Sequence, residues 1–326
     1  MLTSFKTKVV GVDIRTENTK IAVVDIRGNI IGTDDFNTVD YPDVNNYVSA
    51  LCDHIVTLVE GTVGYENVRS VGISVPSGNF KLGSIVNAPN MAWKGEVPMA
   101  AMLRDRLGLA VALGNNAHVM ALGEHAYGSA HGLTDFIIIT LGSGLGSCIF
   151  SNGMPNIGAN GFAGEVGHTC LIPDGRQCGC GKKGCLETYT AARGIVMTAR
   201  ELMEEKPDIP SLMRQVEKLT PKIISEFCDK GDELAIETFR LTGEKLGLGL
   251  ANYASVLNPQ AMIFTGGVSK AGHWLLEPAY EMFEKCVFQN MAGKIDFIPS
   301  VIDDDYRNVL GAAVLAWDVP EYSLFK

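Results

Sequence analysis

The sequence predicts a two-domain α/β protein, and three observations carry that prediction. Both halves open on two or three strands joined by tight turns and then alternate helix with strand, an internally duplicated plan. The strands are near-continuous apolar runs, as in sheets covered on both faces. The 326 residues, 46% of them hydrophobic, suffice for two cores.

The first half begins with strands at Val9–Ile14 and Lys20–Asp25, and a Gly28-Asn29 turn leads into a third at Ile30–Thr33. Val44, Tyr47, Val48, Leu51, Ile55, Leu58 and Val59 recur with helical spacing and predict a helix over 44–59. Ser70–Val75 is a strand ended by Pro76, followed by a helix over 98–107, a strand over 110–113 and a helix over 117–127. The second cycle starts with strands at 135–141 and 146–150, and helical patterns cover 191–205, 209–216 and 233–257. Ala261–Thr265 is a strand that runs through Gly266-Gly267 into a helix ending at Phe283. A short strand at 297–298 and a helix over 309–317 close the chain. No low-complexity linker separates the halves, so they are expected to meet along a cleft, the usual place for a ligand.

Composition removes several function classes. The 37 acidic and 27 basic residues give a net charge of −10, whereas a nucleic-acid module needs a basic surface. No apolar run approaches the ~20 residues that span a bilayer. The opening Met1–Lys8 is too polar and too short for a signal peptide. A cytoplasmic location is therefore expected, with the 8 cysteines serving as thiols or metal ligands rather than disulfides.

Four of those cysteines, Cys170, Cys178, Cys180 and Cys185, lie close together just after His168. The glycines interleaved through 178–185 let the backbone turn tightly enough for several thiolates to face one point. His168, Cys178, Cys180 and Cys185 make the Cys₃His set that tetrahedral Zn²⁺ takes; a redox-active thiol cluster is the weaker alternative. Cys52, Cys148, Cys228 and Cys286 fall in apolar patterns and are expected in the cores. Glycine, at 36 residues, exceeds its ~7% norm. Gly142, Ser143 and Gly144 form a strand-joining loop that can offer backbone N–H groups and a hydroxyl to a phosphate, although hairpins also collect glycine. Gly266 and Gly267 lie where a helix N-terminus would face a nucleotide; close packing at a strand end is an equal alternative.

Together these segments resemble the ROK family of bacterial sugar kinases and sugar-responsive repressors, in its glucokinase-like branch, from Val9 to Ala316. The most specific part is Gly164-Glu165-Val166-Gly167-His168 followed by Cys178-Gly179-Cys180-Gly181-Lys182-Lys183-Gly184-Cys185-Leu186-Glu187. The resemblance implies an actin-like, hexokinase-type fold of two α/β domains. These would be 1–114 with 303–326, a smaller domain completed by the C-terminal helix, and 115–302, a larger one carrying the zinc cluster. It implies that Asn90, Asn115, Glu165, His168 and Glu187 bind the hexose. Asp13, on the Mg²⁺ side, would bind ATP with Lys20, Gly142, Ser143, Gly144, Gly266 and Gly267. A glucose-like substrate, a homodimer and no nucleic-acid or membrane partner are implied in the same way. The family's repressors carry an N-terminal winged helix-turn-helix; with Asp13 so near the start of this sequence, the kinase branch is the expectation.

Two segments depart from the family pattern. Its first phosphate loop reads Asp-Ile-Gly-Gly-Thr, with Lys three residues on; this chain has Asp13-Ile14-Arg15-Thr16-Glu17-Asn18-Thr19-Lys20. Side chains at Arg15 and Thr16 obstruct the close backbone approach that glycine permits. Glu17 places a carboxylate against a polyphosphate, although Arg15 is itself a phosphate-binding residue type. At the catalytic base the family has Asn-Asp-Ala-Asn, and here the segment is Asn115-Asn116-Ala117-His118. Asn116 cannot accept a proton at neutral pH, and the loss of a general base costs ~10²–10⁴ in rate. The expectation is an ATP-dependent hexose kinase acting on the sugar 6-hydroxyl with impaired turnover; a catalytically silent sugar-binding protein is the alternative.

Overall fold

The computed structural model describes residues 6–88 and 90–319. The chain divides into two units. Residues up to Gly132, Ile157–Gly161 and those from Val301 onward form the first; Leu133–Asn156 and Phe162–Ser300 form the second.

In the first unit, β1 (Lys8–Ile14), β2 (Asn18–Asp25) and β3 (Ile30–Asn37) make an antiparallel meander. Helix α1 (Val44–Glu60) starts at Asp43, whose carboxylate accepts from the amides of Asn45 and Asn46, both at 3.0 Å. It returns the chain to β4 (Val68–Val75), which lies parallel to β1. The hairpin strands β5 (Gly78–Asn79), β6 (Ser84–Val86) and β7 (Glu96–Val97) form a small separate sheet. Helix α2 (Met99–Leu107), β8 (Ala110–Asn115) and α3 (Asn116–Tyr127) come next. The main sheet has the order β3-β2-β1-β4-β8. The inner face of α1 buries Tyr47, Val48, Leu51 and Ile55 against Val10, Val12, Ile21, Val23 and Ile73. Each such side chain contributes roughly 1.5–3 kcal/mol by leaving water.

The second unit repeats the meander with β9 (Phe136–Leu141), β10 (Leu145–Ser151) and β11 (Met154–Pro155). Helices α4 (Glu187–Thr190), α5 (Ala192–Glu205), α6 (Pro221–Cys228) and α7 (Glu233–Leu257) precede β12 (Ala261–Thr265), α8 (His273–Cys286) and β13 (Asp296–Pro299). The sheet order is β11-β10-β9-β12-β13, with β12 parallel to both neighbours. Its core gathers Ile137, Ile139, Leu186, Leu246, Leu250 and Phe283. Among the described residues no helix is long and apolar enough to cross a membrane.

The chain then returns to the first unit as α9 (Arg307–Asp318), which packs on β1, β4 and α3. The helix comes so near that a Cβ on Gly11 would stand 2.2 Å from the Val309 carbonyl oxygen, and one on Gly72 1.9 Å from that of Ala312. Because α3 packs against α9, the first unit runs through Gly132, beyond the boundary expected after residue 114.

Several local expectations need correction. The helix expected over 209–216 is a single 3₁₀ turn, Leu212–Gln215. Pro210 interrupts the segment, and the Asp232 carboxylate holds the Leu212 amide and the Ser211 hydroxyl. Helix α6, unanticipated, starts with Thr220 as cap and Pro221 as first residue. Gly266-Gly267 does not open a helix directly: a 3₁₀ turn at Ser269–Ala271 intervenes before α8. Of the four cysteines expected in the cores, Cys52, Cys148 and Cys228 are buried but Cys286 is exposed, at the last residue of α8.

Candidate functional site

Two turns stand side by side at the carboxyl ends of the parallel strands β9 and β12, where open α/β sheets take their ligands. The first holds Gly142, Ser143 and Gly144 between β9 and β10. The second holds Gly266, Gly267 and Val268, whose amide donates to the Leu141 carbonyl at 3.0 Å. A Cβ on Gly142 or on Gly267 would meet no atom within 4 Å. Chain packing therefore does not require glycine at either position. Gly266 differs, having φ +91° and a would-be Cβ only 2.4 Å from the Leu141 carbonyl oxygen. Gly142, Gly267, Val268, Thr220, Lys222 and Ser225 line a cavity of about 550 Å³. Its wall is thus partly α6, the unanticipated helix. The signal available was Thr220-Pro221, a cap followed by proline, placed ahead of an apolar periodicity.

Gly144 answers to the protein rather than to open space. The Glu187 carboxylate at the start of α4 accepts the Leu145 amide through Oε2 at 2.9 Å, and a Cβ on Gly144 would lie 2.6 Å from that oxygen. Gly144→Ala is expected to cost about 1–3 kcal/mol by overpacking. Glu187→Ala in the same chain removes the clash, so thermal melts should show the double variant less destabilised than the sum of the singles.

Glu187 also reaches the cysteine cluster, its Oε1 lying 3.8 Å from Cys178 Sγ. The ligand atoms of His168, Cys178, Cys180 and Cys185 all fall within 4.8 Å of one another. Cys180 and Cys185 sulfurs are 3.7 Å apart, and Cys178 Sγ is 3.7 Å from His168 Nδ1. Tetrahedral Zn²⁺ with Zn–S of ~2.3 Å separates its sulfurs by about 3.8 Å, so the donor set fits that ion. Burial, then the neighbouring Cys178 and Cys180, pushes the Cys185 thiol up to about 12, whereas the Lys182 backbone and hydrogen bonding with Cys178 and Cys185 hold the Cys180 thiol below its usual value. Cys170 stands outside the set, exposed, on a strand bridge with Cys185.

Arg176 ties this loop down. Its guanidinium donates to the carbonyls of Thr188 and Gly194, both at 3.0 Å, and stacks 4.8 Å from the Tyr189 ring. With Nδ1 on the thiol side, His168 keeps Nε2 for a second partner. Glu165, exposed, leads into the 3₁₀ turn Val166–His168, and Ser147 of β10 holds that segment through the Gly164 carbonyl and the Val166 amide.

The remaining candidates belong to the first unit. Asn90 is exposed on the loop between β6 and β7, anchored by buried Ala88, Met91 and Trp93. Asn115 caps α3, its Oδ1 accepting the Ala117 amide at 2.9 Å; Asn116 Oδ1 accepts the same amide at 3.0 Å. At the end of β1, Asp13 is buried and flanked by Arg15 and by Asn308 of α9. Lys20, paired with Asp13 across β1 and β2, lies 5.1 Å from the centre of the Tyr306 ring. Asn308 is a partner that no sequence signal could have supplied.

Two α/β units of this build, the second with a cavity at its strand ends, have the architecture of the actin-like ATPases and hexokinases. A crystal structure of a ROK family glucokinase from Streptomyces griseus in complex with glucose and AMPPNP superposes with a TM-score of 0.77 at 32% identity, covering 96% of this chain and all of that one. The glucokinase of Streptomyces coelicolor is 34% identical over 315 residues, 94% of this chain and 96% of the relative. That of Halalkalibacterium halodurans is 32% identical over 315 residues, 94% of each. The sequence profile of the ROK family matches residues 9–319, and the chain belongs to that family.

Proposed function

We propose that this ROK protein binds a glucose-class hexose and phosphorylates its 6-hydroxyl from ATP only slowly. Glu165, His168 and Glu187, with Asn90 and Asn115, would take the sugar hydroxyls: carboxylates accept from vicinal hydroxyls and the amides both donate and accept. The 550 Å³ cavity beside Gly142 and Gly267 supports adenosine binding there. Zn²⁺ on His168, Cys178, Cys180 and Cys185 would be structural, fixing the imidazole orientation.

The observation that carries slow turnover is Asn116. Transfer forms the sugar O6–Pγ bond and breaks the bond from Pγ to the oxygen bridging it to ADP, and the hydroxyl proton must leave to an acceptor. The Asn116 amide offers none, and its oxygen already accepts the Ala117 amide. Losing a general base costs ~10²–10⁴, against ordinary kinase turnover of ~1–100 s⁻¹.

A coupled assay with ATP, Mg²⁺ and a panel of hexoses and N-acylated hexosamines tests the rate. Turnover at the ordinary kinase level would overturn the slow-kinase reading. Calorimetry with glucose should still give heat; none with any sugar on the panel would remove the sugar-binding reading.

A further inference from the structure

The Asp13 carboxylate is only 1% exposed, and both its oxygens are engaged. Oδ2 accepts Arg15 Nε at 2.5 Å and Oδ1 accepts Asn308 Nδ2 at 3.1 Å. Mg²⁺ demands oxygen ligands at ~2.0–2.1 Å in near-octahedral array and keeps several waters. A buried carboxylate closed in this way leaves no room for that shell, and a guanidinium in contact with it repels a divalent cation. Asp13 therefore does not fit the Mg²⁺-side role that the family pattern implies. The position of Arg15 is held by its backbone: its amide donates to the Asn18 carbonyl at 2.9 Å, closing the turn between β1 and β2.

We infer that Arg15 stands in for the divalent cation at Asp13, so that the chain binds nucleoside di- and triphosphates without Mg²⁺. Arg15 has the means. Only its Nε is committed; neither Nη has a partner among the described residues, and the side chain is 39% exposed. Two parallel N–H donors match two phosphate oxygens, and guanidinium keeps its charge at every physiological pH. The inference rests on the proposed function in one respect, that the nucleotide site is retained, and it makes binding metal-free rather than absent.

Calorimetry of the full chain with ATP and with ADP tests it, in buffer freed of divalent cations and again with millimolar Mg²⁺. The expected dissociation constants agree within about threefold between the two buffers. In Arg15→Gly, and in the size-conserving Arg15→Gln, Mg²⁺ should tighten binding about tenfold or more, because Asp13 is freed for the metal. A larger gain from Mg²⁺ in the unmodified chain overturns the inference. So does failure of ATP to bind in the divalent-free buffer, or metal-independent binding in both variants. The readout is affinity, so a chain that proves to be a fast kinase fails the slow-kinase reading without deciding this one.

Discussion

On the proposed reading, a strong chelator should abolish hexose binding by this protein while leaving it folded. The Cys₃His set fits tetrahedral zinc, and metal analysis should return about one zinc per chain. Structural Zn²⁺ contributes ~10–16 kcal/mol of apparent binding energy in small zinc peptides, so a loop holding zinc would depend on it more than on any single hydrogen bond of ~1 kcal/mol. The unit itself does not, because its core of Ile137, Ile139, Leu246, Leu250 and Phe283 is formed by the sheet and the long helices. The loss should therefore be local. Segment 168–187 carries His168 and Glu187, and chelation should expose it to proteolysis while far-UV dichroism persists. Cys185→Ser should reproduce this, since Cys185 is a buried member of the set. Metal-free protein that binds glucose with undiminished affinity would remove zinc from the site's architecture.

The second large effect is on turnover. Asn116→Asp alone should raise the rate by less than about tenfold, although a general base is worth ~10²–10⁴. The reason is at the end of β1, where Arg15 holds Asp13 and Glu17 adds a carboxylate. Phosphoryl transfer depends almost entirely on positioning and charge stabilisation, so a restored base cannot act on a poorly placed phosphate. Combining Asn116→Asp with Arg15→Gly, Thr16→Gly and Glu17→Thr should release the full factor. Single-turnover kinetics with glucose and ATP measure both. A rescue of a hundredfold or more from Asn116→Asp alone would show that the phosphate turn is no obstacle.

Apolar periodicity located most elements because burial is a local pattern repeated along each segment. The 44–59 helix, the 70–75 strand and the 261–265 strand all lie within a residue or two of their observed ends. It failed at 209–216, where apolar spacing looked helical but Pro210 and the Asp232 carboxylate impose another conformation. It also failed at Gly266-Gly267, because glycine marks a turn without specifying the element beyond it.

Residue type and short spacing were enough to read the duplicated α/β plan, the clustering of His168 with three cysteines and the two places where the chain departs from its family. His168 and Cys185 belong to one tight loop whose turns arise from its own glycines, so their meeting is a local matter. What each functional side chain touches is not local, and folding settled it. Glu187 reaches the Leu145 amide across 42 residues, Asn308 reaches Asp13 across 295, and α6 walls a cavity that the two glycine turns also line. Even Arg15, two residues from Asp13, could have pointed to solvent or to a phosphate. Its pairing was settled by burial of a carboxylate that needs a cation beside it, and burial belongs to the folded chain.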